Sequence, residues 1–278
     1  MINYERLVKM KKIVLITFFV LLQKGLFAQD GNYTNVNGVK LYFETYGKGQ
    51  PLVLLHYMTG SHEVWEQWID SLSQDYKLII PDLRGHGKST NPTGEFGYEI
   101  VAQDIYALMD ELEIENFMAM GASSGAMTLI HMATMDSTRI DAMILIGGTI
   151  FFDDQYRELV KGVTYETYPK ESLSNMRTHH PDGDEQIKML LDQFRAHAFT
   201  YDDMNFTSPY LSLIKCPTLI IHGDRDKYFQ IDIPVEMYKA IPNSFLWIFP
   251  NGGHLPNWKA LWSDKFLEVS KLFFSEKL

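Results

Sequence analysis

Short, dominantly apolar runs alternate with segments whose apolar residues recur at helical spacing. "PLVLLH" (51–56), "YKLIIP" (76–81), "NFMAM" (116–120), "DAMILIGG" (141–148), "PTLIIHG" (217–223) and "SFLWIFPN" (244–251) are the runs. Runs this short and continuous predict strands buried on both faces, as in a parallel sheet. "VKLYFETYG" (39–47) alternates apolar with polar residues and predicts an antiparallel edge strand. Trp65, Trp68, Ile69 and Leu72 predict an amphipathic helix over 62–73, and Val101, Ile105, Leu108, Met109 and Leu112 predict a second. A third starts at Ser124, a fourth carries Val235 and Tyr238, and a last presents Trp262, Phe266, Val269 and Phe273 on one face.

The alternation stops over about 151–214, where "YETYPKESLSNMRTHHPDGDEQ" (165–186) reads as loop and short helix. Alternating strand and helix units build a mostly parallel central sheet with helices on both faces. The interruption predicts a helical cap inserted over the functional end of that sheet. No repeat, low-complexity segment or linker divides the chain, so residues 29–278 form one domain with a cap.

The N-terminus follows another pattern. "MINYERLVKMKK" is basic, "IVLITFFVLL" is apolar, and "QKGLFAQ" closes with small and polar residues. That layout predicts a secretory signal peptide over residues 1–28, its apolar run being too short to span a bilayer. Met10 offers a second start, because "MKKIVLITFF" alone begins such a signal. The expected product is an exported protein, periplasmic or extracellular.

Composition narrows the partners. The 278 residues are 46% hydrophobic and 22% charged, ordinary for a chain with a full core. The formal charge is −10, and −14 without residues 1–28, which speaks against a nucleic-acid-binding face. Cys216 is the single cysteine, so no intrachain disulfide forms, and it reads as a small buried residue. Nothing resembles a dinucleotide loop or P-loop, and no cofactor is expected.

Gly121-Ala122-Ser123-Ser124-Gly125 fits G-x-S-x-G between a strand and a helix. Such an elbow lifts a serine hydroxyl above the sheet, and its glycines let the backbone fold back closely. Only the Ser123 register has glycine on both sides; Ser124 is the competing register. A serine hydroxyl needs a base to take its proton, and the base needs a carboxylate to fix its tautomer. "IIHGDRD" offers Asp224 and Asp226 after one strand, and "PNGGHLP" offers His254 after the next. Loops at the carboxyl ends of strands are where ligands gather in open α/β sheets.

These residues carry a resemblance. Through "GASSG", "PDLRGHGKS" (81–89), "HGDRD" and the terminal "GGH", residues 33–277 resemble the α/β-hydrolase superfamily. The resemblance is greatest to its small capped serine hydrolases: esterases, lactonases and haloperoxidase-like enzymes. It implies Ser123 as nucleophile, Asp226 as acid (the G-x-x-D position counted from Gly223) and His254 as base. It also implies an oxyanion hole from the Met58 and Ser124 N–H groups. The family has His-Gly after the third strand where this chain has "LLHYMTGS", with Tyr57 in the glycine's place. Tyr57, Phe151 and Trp258 are candidate substrate-binding residues, with Phe152, Tyr156 and Met58 as further lining.

His179-His180 lacks further ligand spacing for a metal and reads as a solvated loop, so no metal site is expected. His86 and His222 read as structural, bonded to nearby backbone. The expected activity is cofactor-free hydrolysis of carboxylic esters through an acyl-enzyme. A lactonase, a perhydrolase or C–C hydrolase, an aminopeptidase, and a ligand-binding protein with little turnover are the alternatives on the same residues.

Overall fold

The computed structural model describes residues 31–255 and 262–275. Residues 1–28, read above as a signal peptide, and Trp258 lie outside the described residues.

Eight strands form one sheet: β1 (Asn32–Val36), β2 (Val39–Tyr46), β3 (Gln50–Leu55), β4 (Tyr76–Pro81), β5 (Phe117–Ala122), β6 (Ile140–Ile146), β7 (Thr218–Gly223) and β8 (Ser244–Phe249). Their order is β1-β2-β4-β3-β5-β6-β7-β8. β3 to β8 run parallel, while β2 pairs antiparallel with both β1 and β4. The 39–47 strand is therefore antiparallel as expected but not an edge. β1 covers it through a turn in which Asn37 and Gly38 both take positive φ.

The helices are α1 (Glu66–Leu72), α2 (Tyr98–Glu111), α3 (Ser124–Met135), α4 (Asp154–Lys161), α5 (Lys170–His179), α6 (Asp184–Ala196), α7 (Ser208–Leu211), α8 (Asp232–Ala240) and α9 (Trp262–Phe274). The helix expected over 62–73 begins as a 3-10 turn, His62–Trp65, capped by the Ser61 side chain, before α1 continues it.

Successive strand residues face opposite cores, which explains the unbroken apolar runs. Val53 and Leu55 of β3 join one core with Ile105, Leu108, Leu129 and Ile130 of α2 and α3. Leu52 and Leu54 join the other with Trp68, Leu72 and Phe266 of α1 and α9. Burying a strand side chain of this size on either face stabilises by about 1.5–3 kcal/mol.

Between β6 and β7 lie four helices, α4 to α7, with more helix than the polar sequence suggested. Leu173 and Met176 of α5 pack on Ile187, Leu190 and Leu191 of α6 in a small core of their own.

Candidate active site

Ser123 follows β5 directly. Its φ of 51° and ψ of −108° lie outside the regions a side-chain-bearing residue favours. The flanking glycines make the bend possible. A Cβ on Gly121 would overlap the Gly125 backbone, and one on Gly125 would overlap the Leu55 carbonyl. The Ser123 N–H donates to the Ile146 carbonyl at 2.7 Å, fastening the bend to β6.

Three loops at the carboxyl ends of β5, β7 and β8 bring the expected residues together. His254 Nε2 lies 2.9 Å from Ser123 Oγ, and His254 Nδ1 lies 2.8 Å from Asp226 Oδ2. The other oxygen, Asp226 Oδ1, accepts from the Tyr228 and Phe229 N–H groups at 2.8 and 3.2 Å. Burial acts to raise the Asp226 carboxyl, but the His254 hydrogen bond and charge outweigh it and hold the group below its ordinary range. A carboxylate accepting these bonds fixes Nδ1 as a donor and leaves Nε2 to accept from the serine.

Asp224 has another task. Its Oδ1 accepts from the Gly252 N–H at 3.2 Å, tying the β7 loop to the β8 loop. The edges of Tyr228 and Phe229 pack on the His254 ring, with centroids 4.8 and 5.4 Å away. His222, fully buried, bonds the Phe229 carbonyl at 2.9 Å. His86 bonds the Arg84 carbonyl at 3.1 Å. Both are structural, as their context suggested.

A cavity of about 200 Å³ opens over Ser123. Tyr57, Met58 and Thr59 line it from the β3 loop, Tyr228 and Phe229 from the β7 loop, and Tyr156, Tyr168 and Phe194 from the region between β6 and β7. Tyr57 thus reaches the cavity. Phe151 is not among its lining residues; it pairs with Asn205 in an isolated β-bridge. Phe152 lies behind the wall, stacked on Tyr156 and His197 at 4.8 and 4.7 Å.

Ser124 and Met58, the two residues expected to supply backbone donors, both line this cavity. Ser124 begins α3, where the first N–H groups have no intrahelical acceptor and the helix dipole favours an anion. The Met58 N–H donates to no acceptor among the described residues.

A buried chain of hydrogen bonds runs behind Ser124. Its Oγ lies 3.2 Å from the Tyr98 hydroxyl, which lies 3.2 Å from His197 Nε2; His197 Nδ1 lies 2.9 Å from the Tyr156 hydroxyl. Burial, and then the nearby Arg157, push His197 down to about 3, so its imidazole is neutral.

His179-His180 corrects the sequence reading. His180 is fully buried. His179 pairs with Glu63 at 2.5 Å. Neither is a solvated loop residue. Tyr228 and Phe229 could have been found from their position just past Asp226. Tyr168, Phe194, Tyr98 and His197 join the site only through tertiary contacts, and no local signal marks them.

The family model described as "alpha/beta hydrolase fold" matches residues 50–182 and 179–261. The AB hydrolase superfamily protein YisY of Bacillus subtilis is 26% identical over 243 residues, covering 78% of this chain and 89% of its own. The human serine hydrolase BPHL is 26% identical over 265 residues, covering 86% and 84%. Among solved structures, the meta-cleavage product hydrolase CumD of Pseudomonas fluorescens IP01 superposes with a TM-score of 0.73 at 23% identity, covering 89% of this chain and 98% of that one. At that identity the likeness speaks to fold alone. With a family model spanning most of its length, an eight-stranded sheet and a serine on a strained turn, the chain belongs to the α/β-hydrolase family.

Proposed function

We propose that this chain is a cofactor-free serine hydrolase that cleaves carboxylic esters through an acyl-enzyme. The continuous line from Asp226 through His254 to Ser123 Oγ supports this reading, with both links shorter than 3.0 Å. His254 Nε2 takes the Ser123 proton as Oγ attacks the ester carbonyl. Negative charge then builds on the carbonyl oxygen, where the Ser124 and Met58 N–H groups would receive it. His254, now an imidazolium stabilised by Asp226, gives its proton to the departing alcohol. Water repeats the cycle on the acyl-enzyme: His254 takes its proton, and Ser123 leaves with that proton returned.

The aromatic wall of the cavity suits an uncharged acyl or alkoxy group. A fluorophosphonate probe with peptide mapping tests the reading, together with a panel of p-nitrophenyl esters, lactones and amino-acid arylamides. Rapid labelling at Ser123 and turnover of an ester are expected. Folded protein that neither labels nor turns over an ester refutes it and favours a binding protein. The layout of residues 1–28 further leads us to propose export.

A further inference from the structure

Thr59, directly after Met58, holds φ at 66°, a left-handed conformation that a β-branched residue avoids. The loop carrying one expected oxyanion donor therefore needs holding from outside. Both ends of α5 reach it. Tyr168, just before the helix, lines the same cavity as Thr59. His180, just after it, lies with Nε2 3.1 Å from the Thr59 carbonyl oxygen.

The His180 tautomer follows from its other bond. The Gly87 N–H donates to Nδ1 at 2.9 Å, so the imidazole proton sits on Nε2 and is donated to Thr59. Gln186 of α6 fastens the same region, donating to the Gly85 and Gly87 carbonyls at 2.9 and 2.8 Å.

Peptide planarity carries this bond onward. A trans peptide points its C=O and N–H in opposite directions, so holding one end aims the other. Fixing the Thr59 carbonyl aims the Gly60 N–H, which donates to the Tyr57 carbonyl at 3.0 Å. The Tyr57 carbonyl, also bonded by His56 Nδ1 at 2.8 Å, shares its peptide with the Met58 N–H. Two peptide planes in series thus connect His180 to Met58.

We propose that His180 is a positioning residue: through the Thr59–Gly60 and Tyr57–Met58 peptides it aims and polarises the Met58 N–H for the oxyanion. The inference deepens the serine-hydrolase reading and rests on it. It couples the α5 region to catalysis without touching substrate. Hydrogen bonds in such a chain also strengthen one another.

His180→Asn and His180→Gln separate this role from plain packing. The Asn amide oxygen falls near Nδ1 and can keep the Gly87 bond while losing Thr59. The Gln amide nitrogen falls near Nε2 and can keep the Thr59 bond while losing Gly87. Each variant loses one hydrogen bond, so a merely structural role would harm both alike. On an ester turned over by the wild type, kcat of His180→Asn should fall about 10–100-fold below that of His180→Gln, within the range for an impaired oxyanion donor, with KM nearly equal. Equal kcat losses, or losses confined to KM, would overturn the proposal. If the wild type turns over no ester, the hydrolase reading fails by itself. Amide hydrogen exchange over residues 56–62 then decides the positioning role without turnover. Faster exchange at Gly60, whose N–H donates to the Tyr57 carbonyl, in Asn than in Gln supports it, and equal exchange overturns it.

Discussion

His254 Nε2 sits 2.9 Å from Ser123 Oγ although 131 residues and two intervening strands, β6 and β7, separate their loops. At about 4.8 Å per strand, the β8 loop must reach back across roughly 14 Å of sheet to do this. Asp224 helps direct it by holding the Gly252 N–H, and Asp226 meets the ring where it arrives.

That division of labour separates the two aspartates experimentally. Asp226→Asn replaces the acceptor on Nδ1 with an amide that favours the wrong tautomer, so kcat on an ester should drop by about 10³–10⁴-fold. Asp224→Asn keeps an oxygen for the Gly252 N–H and should cost less than about tenfold. Steady-state kinetics on both variants checks the assignment, and the reverse order would move the acid to Asp224.

The elbow glycines answer to a steric requirement. A methyl group on Gly125 meets the Leu55 backbone, which β3 cannot move without breaking its pairing with β5. Gly125→Ala should therefore destabilise by about 3 kcal/mol or more, as overpacking of a rigid site does. Ser124→Ala should cost far less. Urea denaturation of the two variants compares them directly.

The six parallel strands were legible because burial on both faces leaves a mark in composition, as Leu52 to Leu55 show by dividing between two cores, whereas β1, Asn32–Val36, is mostly polar and was not foreseen. Ser123, Asp226 and His254 were legible as candidates because each lies within a few residues of a strand end. The α5 and α6 segment was not. Its apolar residues Leu173, Met176, Ile187 and Leu190 have helical spacing, but charged neighbours and the Pro-Asp-Gly turn mask it. His180 was misread for a related reason: its partners Gly87 and Thr59 lie 93 and 121 residues away.

Stability should depend on alkaline pH through His62. Burial opposes its charge, but hydrogen bonds to Asp82 at 2.8 Å and to Glu44 outweigh burial and push His62 up to about 9. A pKa raised on folding from 6.5 gives stability fully present below pH 6.5 and lost as pH rises through about 9. Glu44 works oppositely. Burial would raise it, but the bonds from His62, Tyr42 and Tyr46 take it down to about 2. Its contribution is present above pH 4.5 and lost as pH falls toward 2. Melting curves of wild type and His62→Gln should differ by several degrees at pH 6 and converge by about pH 10.

Export has a direct readout. If the proposed export holds, intact mass of protein from the native host should show a chain beginning near Gln29. Full-length protein in the membrane fraction would refute cleavage.

Tyr98 tests what lies behind Ser124. Its hydroxyl joins Ser124 Oγ to His197, and neutral His197 has one proton to place on two nitrogens. The chain therefore has two consistent directions. With Tyr156 donating to Nδ1, Nε2 donates to Tyr98 and Tyr98 to Ser124, which frees the Ser124 hydroxyl hydrogen. In reverse, Ser124 donates to Tyr98, Tyr98 to Nε2, and Nδ1 to Tyr156, whose own hydrogen is then free beside the cavity it lines. Tyr98→Phe cuts both directions and strands Ser124 Oγ and His197 Nε2 in a buried site, a loss of about 1–3 kcal/mol. Urea denaturation should show that loss. The Ser124 backbone N–H and the helix it begins are untouched, so kcat on an ester should change less than about tenfold. A fall matching that of Asp226→Asn would instead mean that protons of the reaction travel through this chain.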